Sequence, residues 1–325
     1  MSRRSQGPAE IAEAVERLRA ALDRYAEGVH RLGDPATALD ADLPPALAAV
    51  QRAFDGAELF HEALILLPSA SWKRDGGRVL VGDMGGDALW VDIESGAVWR
   101  VEEDTGEWLC EGTQFDRWLW GWVEAESVLY DREGEFRAGV IGPRGDLTEG
   151  TAIEHERRLL RRDRGAASPR WRLARALARA GNIEAARHEL ELVVEEHPRF
   201  GWAWYDLARL SEALGQLGGA REEALAAAEA DIDYEHAGFF LAWAARLAAL
   251  AGDESARAEL AERARRTDGA LGQRQLDGAR ANLEAGEVDA ARELVQVALA
   301  LEPRDLAALD LKRQIEATTA TTPRG

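Results

Sequence analysis

Apolar residues near the start of the chain recur at alternating steps of three and four positions. This spacing places them on one stripe of a helix, which Pro8 opens and Gly33 and Pro35 end. We therefore predict a helix over residues 8–32, within an N-terminal segment of residues 1–41. The stripe either docks on its own domain or forms a short coiled-coil seam. Its members are Ile11, Val15, Leu18, Leu22, Tyr25, Val29 and Leu32.

The pattern changes between residues 42 and 137. A short helix ends at Asp55-Gly56, and the run ELFHEALILLP then predicts an extended, buried entry into a sheet. The runs RVLVGDM, ALWVDI, VWRVE and EWLCEG predict strands joined by hairpin turns. Helical spacing returns over residues 114–129, at Phe115, Trp118, Leu119 and Trp122. This order predicts an α+β domain, in which helices flank an antiparallel sheet.

A repeat with a period of 34 residues occupies residues 169–316. Two helical patterns lie in each period, which predicts an all-α array of helical hairpins with a capping helix over residues 304–316. The first two copies correspond residue by residue: Leu173, Ala174, Gly181 and Ala186 recur as Leu207, Ala208, Gly215 and Ala220.

Two further copies follow. The third is degenerate, because Ala256 stands one residue closer to its glycine, Gly252, than in the other copies. The fourth restores the pattern at Gly286 and Ala291 and closes at a proline, whereas the second copy ends at Ile232.

Two segments have no clear period. Residues 138–168, punctuated by Gly142-Pro143, Gly145 and Gly150, are predicted to be a linker. Within it, EHERRLLRRDRG is either a solvated connector or a helix that enters the next domain. Residues 317–325 are predicted to be a disordered tail.

Composition narrows the classes of binding partner that this chain is expected to have. The 325 residues carry a net charge of −19, which argues against nucleic acid or an anionic membrane as the main partner. Between Gly82 and Glu135, 15 Asp and Glu residues stand against three Arg. Cys110 is the only cysteine, and no apolar run follows the basic N-terminal pair, so we expect a cytoplasmic protein.

Three motifs follow one another in residues 42–135: LPPALAAVQRAFDGAELF, VGDMGGDALWVDIESGAVWRV and TQFDRWLWGWV. A Leu-Pro step enters a helix, Asp55-Gly56 replaces an Asn-Gly step, and a Gly-Asp-rich hairpin precedes a Phe-x-x-Trp-Leu helix. This order resembles a domain of the SUKH (Smi/Knr-like) superfamily. The resemblance implies a bacterial immunity protein that binds and neutralises a toxin, often a nuclease.

The 34-residue copies resemble tetratricopeptide repeats (TPR), in small residues at the helix crossing, a glycine before the second helix and a closing proline. The resemblance implies that the first helix of each copy lines a concave groove. One register facing that groove carries an arginine in all four copies, with aromatic residues and one further arginine beside it. These candidates are Arg175, Arg209, Arg246 and Arg280, with Trp171, Trp202, Tyr205 and Arg179.

Arginine forks bind carboxylates, and aromatic rings add apolar contact, so the predicted partner of this groove is an acidic or C-terminal peptide segment. Two alternatives remain open. The arginines form a solvated face of an arginine-rich protein, or they pair with the acidic first domain.

A second candidate site lies on the acidic domain. Trp120 points away from Trp118 and Trp122 on their predicted helix, so it is either an outward binding residue or packs on the N-terminal helix. A basic protein, such as a toxin, is the predicted partner, and a solvated acidic surface is the alternative. The acids of this site are Asp83, Asp87, Glu102, Glu103 and Asp104.

The sequence contains no recognisable catalytic motif. Residues 82–87 (GDMGGD) supply two carboxylates, fewer than the roughly six oxygens that calcium takes, and lack a nucleotide-binding Gly-Lys-Ser pattern. We therefore predict no enzyme, no metal and no cofactor. The first hypothesis is an immunity protein, the second is a scaffold or adaptor, and a hydrolase with an unrecognised site is the third. The oligomeric state is left open.

Overall fold

The computed structural model describes residues 8–38, 42–143, 145–230 and 236–321. It divides into two compact units, residues 1–189 and residues 190–325, which we call the sheet unit and the helical unit. The predicted fold class is confirmed: an antiparallel sheet with flanking helices is followed by helical hairpins. None of the described helices is both long and apolar enough to span a bilayer.

The described residues of the sheet unit form six helices, of which the last runs across the boundary between the units. They are α1 (Pro8–Leu22), α2 (Pro45–Ala53), α3 (Phe115–Leu129), α4 (Glu149–Arg162), α5 (Ala167–Arg179) and α6 (Ile183–Glu196). The strands are β1 (His30–Leu32), β2 (Ala57–Leu59), β3 (Leu64–Leu66), β4 (Lys73–Asp75), β5 (Arg78–Met84), β6 (Asp87–Asp92), β7 (Val98–Val101) and β8 (Trp108–Gly112).

All strand pairs are antiparallel, and the order across the sheet is β1-β2-β3-β5-β6-β7-β8, with β4 also paired to β5. One face of the sheet is apolar, because alternate residues such as Val79, Leu89 and Val91 point into the core. Helices α1, α2 and α3 cover that face through residues including Leu18 and Leu47. The predicted helix over 114–129 is confirmed as α3.

The N-terminal helix is shorter than predicted, because α1 ends at Leu22. Gly28 has a φ of 93°, a left-handed conformation that an α-helix does not contain. β1 then pairs with β2, placing Leu32 opposite Ala57. The last apolar residues of the stripe therefore lie in a turn and in strand β1, not in the helix. The partner of β1 lies too far along the chain to show in the local pattern.

The run predicted as one extended entry is a hairpin. β2 and β3 pair directly, with Leu59 opposite Leu64. Phe60, His61 and Glu62 between them all have positive φ, which is costly for residues with side chains. Phe60 is fully buried and stacks against Tyr130 at 5.2 Å between ring centroids, so its packing offsets that strain.

The predicted linker contains a packed helix. α4 lies against α3 and α5, and its Leu159 and Leu160 are buried. Asp163 at its end accepts a hydrogen bond from the Thr113 hydroxyl at 2.8 Å. This segment is therefore a packed helix and not a solvated connector, and that it enters the next domain stays a prediction.

The helical unit continues with α7 (Gly201–Ala213), α8 (Leu217–Ala230), α9 (Ala237–Leu250), α10 (Glu254–Thr267), α11 (Leu271–Glu284), α12 (Val288–Leu301) and α13 (Leu306–Thr321). The glycines of the repeat have positive φ between 74° and 81°, which explains why glycine recurs before each second helix. Ile232, the predicted end of the second copy, lies outside the described residues. The predicted tail is helical up to Thr321, and residues 322–325 lie outside the description.

Helices α7 to α10 pack in chain order, each against the next. The fourth copy departs from this order: α12, its second helix, packs against α9 and α10 as well as against α11 and α13. A regular stack would place the first helix, α11, against the preceding copy. Because α12 lies against α9, it covers part of the predicted groove.

Candidate protein-binding surfaces

The predicted acids of the sheet unit lie at one end of the sheet. Asp83 and Asp87 flank the β5–β6 turn, and the other three acids lie in the β7–β8 turn, which leaves the sheet at the same end. Asp83 accepts a hydrogen bond from the Gly86 N–H, and Asp87 accepts one from the Glu103 N–H, both at 3.0 Å. We call this group the acidic end: Asp83, Asp87, Glu102, Glu103 and Asp104.

One cation lies among these acids. Arg100 ion-pairs with Asp87, contacts Glu102 at 3.5 Å and donates from Nε to Glu111 at 3.0 Å. Glu103 and Asp104 are exposed. The acidic end therefore keeps an excess of negative charge that faces solvent.

Three tryptophans occupy the sheet face opposite the core. Trp90 lies directly across from Trp99 in the β6–β7 pair, and Trp108 lies across from Val101 in the β7–β8 pair. The Trp90 and Trp108 rings are 5.9 Å apart, and Trp108 is 40% exposed. We call Trp90, Trp99 and Trp108 the tryptophan face.

Arg78 from β5 reaches this face. Its guanidinium carbon lies 4.3 Å from the ring centroid of Trp108 and 5.5 Å from that of Trp99. Both distances suit a cation–π interaction. The face therefore already holds one guanidinium group of the chain itself.

This face was not predicted from the sequence. A signal was present, since the three tryptophans are spaced nine residues apart in consecutive strands. The strand alternation places Trp90 and Trp99 opposite the inward-facing Leu89 and Val91.

Trp120 is not an outward binding residue. It is half-buried and packs against the core cluster, and the Arg162 guanidinium of α4 lies 5.0 Å from its ring. Arg162 is itself held by Glu124 through its Nε at 2.9 Å. Trp120 is therefore not freely exposed, because α4 lies against α3, and its packing on the N-terminal helix stays a prediction.

Arginines of the predicted groove differ in exposure. In the sheet unit, Arg175 and Arg179 are exposed, and the Arg175 guanidinium lies 4.9 Å from the ring centroid of Trp171. In the helical unit, Arg209 contacts the Tyr205 ring at 5.9 Å. That these arginines share one surface with each other stays a prediction.

Arg246 does not face an open groove. Its side chain is 8% exposed, lies 4.4 Å from the Trp243 ring, and is bonded to Glu212 of α7 and Gln296 of α12 at 2.9 Å each. Tyr205 is likewise buried. The prediction that these two residues bind a partner in an open groove is wrong for this arrangement, because α12 covers them.

Arg280 lies elsewhere in the helical unit. It pairs with Asp277 on its own helix and lines a cleft of about 300 Å³ between α11 and α13. Trp202 is half-buried and packs 5.1 Å from Phe240 between ring centroids. That Arg280 shares a surface with Arg209 or Arg246 stays a prediction.

A buried polar network that was not predicted from the sequence joins β8, α4 and α5. Arg172 of α5 donates to both carboxylate oxygens of Glu111 at 2.8 and 3.0 Å, and to Glu156 of α4 at 3.0 Å. Ser168 donates to Glu111 at 2.9 Å. Glu111 lies two residues after the buried Leu109 in β8 and so points to the same side of the strand, and a charge at an inward strand position was the available signal.

Burial and charge act in opposite directions within this network. Burial favours the protonated form of Glu111, but Arg172 and Arg100 outweigh it and lower the pKa of Glu111 to about 2. Burial opposes the charge of His155 on α4, but hydrogen bonds to Glu126 and Glu156 raise its pKa to about 9. At neutral pH the network therefore holds Glu111 and His155 in their charged forms. These charges have their partners only in the folded chain, so they stabilise it against unfolding.

The raised pKa of His155 predicts a pH dependence of folding. Its contribution is fully present below about pH 6.5, the usual histidine pKa, and is lost as the pH rises through about 9. We expect the free energy of unfolding to fall by about 3 kcal/mol over that window. Urea titrations at several pH values check this, and His155→Gln should abolish the slope. An equal slope in that variant would contradict the assignment.

Solved structures resemble this chain only at low similarity. No protein-family model and no curated protein sequence matches the chain. Similar solved structures include TTC0263, a TPR protein of Thermus thermophilus, at 19% identity over 53% of this chain and 91% of that chain, with a TM-score of 0.35. YrrB, described as a TPR protein with an unusual peptide-binding site, is 16% identical over 51% and 84%, at 0.34.

MamA is 14% identical over 52% of this chain and 91% of its own, with a TM-score of 0.36. All three scores are low, and none of the three proteins assigns a ligand to this chain. Among the described residues, no group of three or more His, Cys, Asp or Glu side chains is placed to hold a metal ion.

Proposed function

We propose that this chain is a non-enzymatic protein-binding protein whose sheet unit binds a basic protein through the tryptophan face and the acidic end. One observation carries the proposal: three tryptophans share a sheet face, and Trp108 directly follows the turn that bears Glu102, Glu103 and Asp104. Residues 73–112 carry ten acidic and four basic side chains, so the surroundings of the face are negative.

The two features supply different parts of binding. Aromatic side chains at the centre of an interface supply most of its affinity, and surrounding charges raise the association rate and exclude partners of the wrong sign. The position of Arg78 over Trp99 and Trp108 suggests the chemistry of the partner, because a guanidinium already fits against these rings. The expected partner presents arginine or lysine side chains.

More concretely, we propose that the partner is a toxin and that the chain neutralises it. The SUKH-like order of motifs in residues 42–135 supports this role. A nuclease toxin has a basic substrate-binding surface, which a chain with a net charge of −19 would approach rapidly. The alternative is a scaffold, in which the helical hairpins recruit a partner, and the exposed Arg175 and Arg179 support it.

Binding should be sensitive to one tryptophan and two acids. Proteins that the immobilised chain retains from a lysate of its own cells are identified. The protein that binds most tightly is then titrated against the wild-type chain and its variants. Trp108→Ala should raise Kd about 30-fold, the equivalent of about 2 kcal/mol. Glu103→Lys with Asp104→Lys should slow association about tenfold and reduce its salt dependence.

The matched control reverses two exposed acids of the helical unit, Asp310→Lys with Glu316→Lys, and should leave Kd unchanged. Equal Kd values for all four chains would contradict the proposed surface. Expressed alone, a toxin partner should arrest growth, and co-expression with the wild-type chain should restore it. A captured partner that does not arrest growth favours the scaffold.

A further inference from the structure

A cavity of about 550 Å³ lies in the sheet unit, where the starts of α1, α2 and α3 meet the turn between β6 and β7. Small-molecule sites commonly have volumes of about 300–1,000 Å³ and mostly apolar walls with a few polar groups. This cavity has such walls, which include Ile11, Leu43, Pro44, Pro45 and Ile93. Its volume and its apolar lining therefore suit a small ligand or an inserted side chain.

One buried carboxylate lines this cavity. Asp116, the second residue of α3, is 9% exposed, and its carboxylate accepts a hydrogen bond from the Arg117 backbone N–H. The Arg117 side chain also lines the cavity, but within the described part of the chain no ion pair includes Asp116. A buried carboxylate without a cation bears its desolvation largely uncompensated.

Other buried acids of the sheet unit are better satisfied than Asp116. Glu111 and Glu156 are both paired with Arg172, at 2.8 and 3.0 Å. Asp163 accepts hydrogen bonds from two backbone N–H groups and from a hydroxyl group. Asp116 is the buried acid that faces a cavity instead of such partners, so the cavity is where a compensating charge would bind.

The electrostatics of this position favour a cation. An acid in the first turn of a helix is usually stabilised by the partial positive charge of that helix end. Burial nevertheless raises the pKa of Asp116, and the nearby carboxylate of Asp163 raises it further. The N–H and the charge of Arg117 act in the opposite direction but do not outweigh burial. The surroundings of the Asp116 carboxyl are therefore short of positive charge.

The neutral side chains of the cavity offer acceptors to a ligand. The Thr113 hydroxyl donates to Asp163 at 2.8 Å, and the Gln114 amide nitrogen donates to the Ser95 carbonyl at 2.7 Å. These donors are therefore used within the chain, whereas the Gln114 amide oxygen can still accept. Glu94, an exposed residue of the turn between β6 and β7, adds a second carboxylate at the rim. Such a set of groups suits a ligand that donates hydrogen bonds.

We propose that this cavity binds an ammonium group carried on an aliphatic stem, with the ammonium at Asp116 and the stem against the apolar walls. An ammonium brings one positive charge and three donors, which match the Asp116 carboxylate and the Gln114 amide oxygen. A free alkylamine and the lysine side chain of a peptide share this chemistry. The site contains no residue of the acidic end or of the tryptophan face, and it does not rest on the proposed function.

The test is isothermal titration calorimetry of the full chain with probes that share a hexyl stem: hexylammonium, hexanol and heptanoate. Hexylammonium should bind about tenfold or more tightly than hexanol, and heptanoate should not bind. Methylammonium, which has the charge without the stem, should bind about tenfold more weakly than hexylammonium. Equal affinity for hexylammonium and hexanol, or tighter binding of heptanoate, would overturn the proposal.

Asp116→Asn keeps the shape of the side chain, removes its charge and should raise the Kd for hexylammonium about tenfold. It should unfold in urea no earlier than the wild-type chain, because the buried charge costs stability at neutral pH. The matched control is Asp289→Asn, the same change at the second residue of α12, where the side chain is 92% exposed. The control should leave Kd unchanged, and an unchanged Kd in Asp116→Asn would disprove the site.

A second variant keeps Asp116 and fills the cavity. Ile93→Trp places a larger side chain in the apolar wall and should also weaken hexylammonium binding, whereas wild-type affinity in this variant would place the ligand elsewhere.

Competition identifies the source of the ammonium group. A blocked alanine peptide with a single lysine displaces hexylammonium if the ligand is a lysine side chain, and it fails to do so if the ligand is a free amine. The same peptide with acetyl-lysine lacks the charge and should not compete. Equal competition by the two peptides would contradict recognition of the ammonium group.

Discussion

Replacement of Arg172 by alanine is expected to lower the free energy of unfolding of the sheet unit by about 3 kcal/mol. The Glu111 side chain is 1% exposed and is paired with the guanidinium groups of Arg172 and Arg100. The substitution removes the Arg172 partner and keeps the Arg100 partner. It also removes the bond from Arg172 to Glu156. A buried carboxylate that loses a partner bears its desolvation without compensation. The network joins β8, α4 and α5, so all three elements should loosen together.

Urea unfolding, followed by pulsed hydrogen exchange of peptides from residues 98–112, measures this loss. The matched control is Arg179→Ala, the same change two turns later on α5 at an exposed position, which should alter stability by less than about 0.5 kcal/mol. Similar losses in the two variants would show that the Glu111 contacts do not stabilise the sheet unit.

Local patterns predicted the elements whose geometry is set by neighbouring residues. α3 begins and ends within one residue of its predicted range, because its apolar positions lie on one face. The recurring Gly215, Gly252 and Gly286 marked the helix–helix turns, because those positions need positive φ. Interactions between residues close in the sequence therefore leave a readable signal.

Distant pairings left no such signal. The apolar residues from Tyr25 to Leu32 follow helical spacing, although β1 is a strand. This strand forms by pairing with β2, which begins at Ala57, and so distant a partner does not show in the local pattern. Arg246 matched the register of an open groove, but the docking of α12 against α9 buries it. Val297, Ala300 and Leu301 of α12 follow helical spacing in the sequence, yet nothing local indicated which surface they would cover.

The candidate surfaces show the same division. The acids of the two hairpin turns were predicted as one acidic surface from their charge, and every second turn of an antiparallel meander lies at the same end of the sheet. Trp120 was misplaced, since the helix that covers it, α4, lies in a segment read as a linker. The tryptophan face was recoverable from strand alternation, but the run of Trp118, Trp120 and Trp122 drew attention to the wrong element.

Substitution of Gly82 by alanine is expected to destabilise the sheet unit by about 3 kcal/mol, through a backbone clash. A Cβ atom at this position of β5 would lie 2.2 Å from the Ile65 carbonyl oxygen and 3.4 Å from the Leu66 Cα of β3. Neither neighbour is the end of a flexible side chain, so the β3–β5 pairing itself must shift. Leu89 of β6 lies on the other side of Gly82, next to a register shift in β5, and limits movement in that direction.

The control for this change is Gly150→Ala in the first turn of α4, where a Cβ atom would meet nothing within 4 Å. Alanine is the better helix former, so this variant should be more stable than the wild-type chain by about 0.5–1 kcal/mol. Both variants reduce the freedom of the unfolded chain equally, so the difference between them reports the clash alone. Because Gly82 connects β3 to the strands that carry Trp90, Trp99 and Trp108, Gly82→Ala should also weaken partner binding, whereas Gly150→Ala should not. Thermal unfolding and partner titration of both variants measure the two effects, and a fully stable Gly82→Ala chain would disprove this register of β3 against β5.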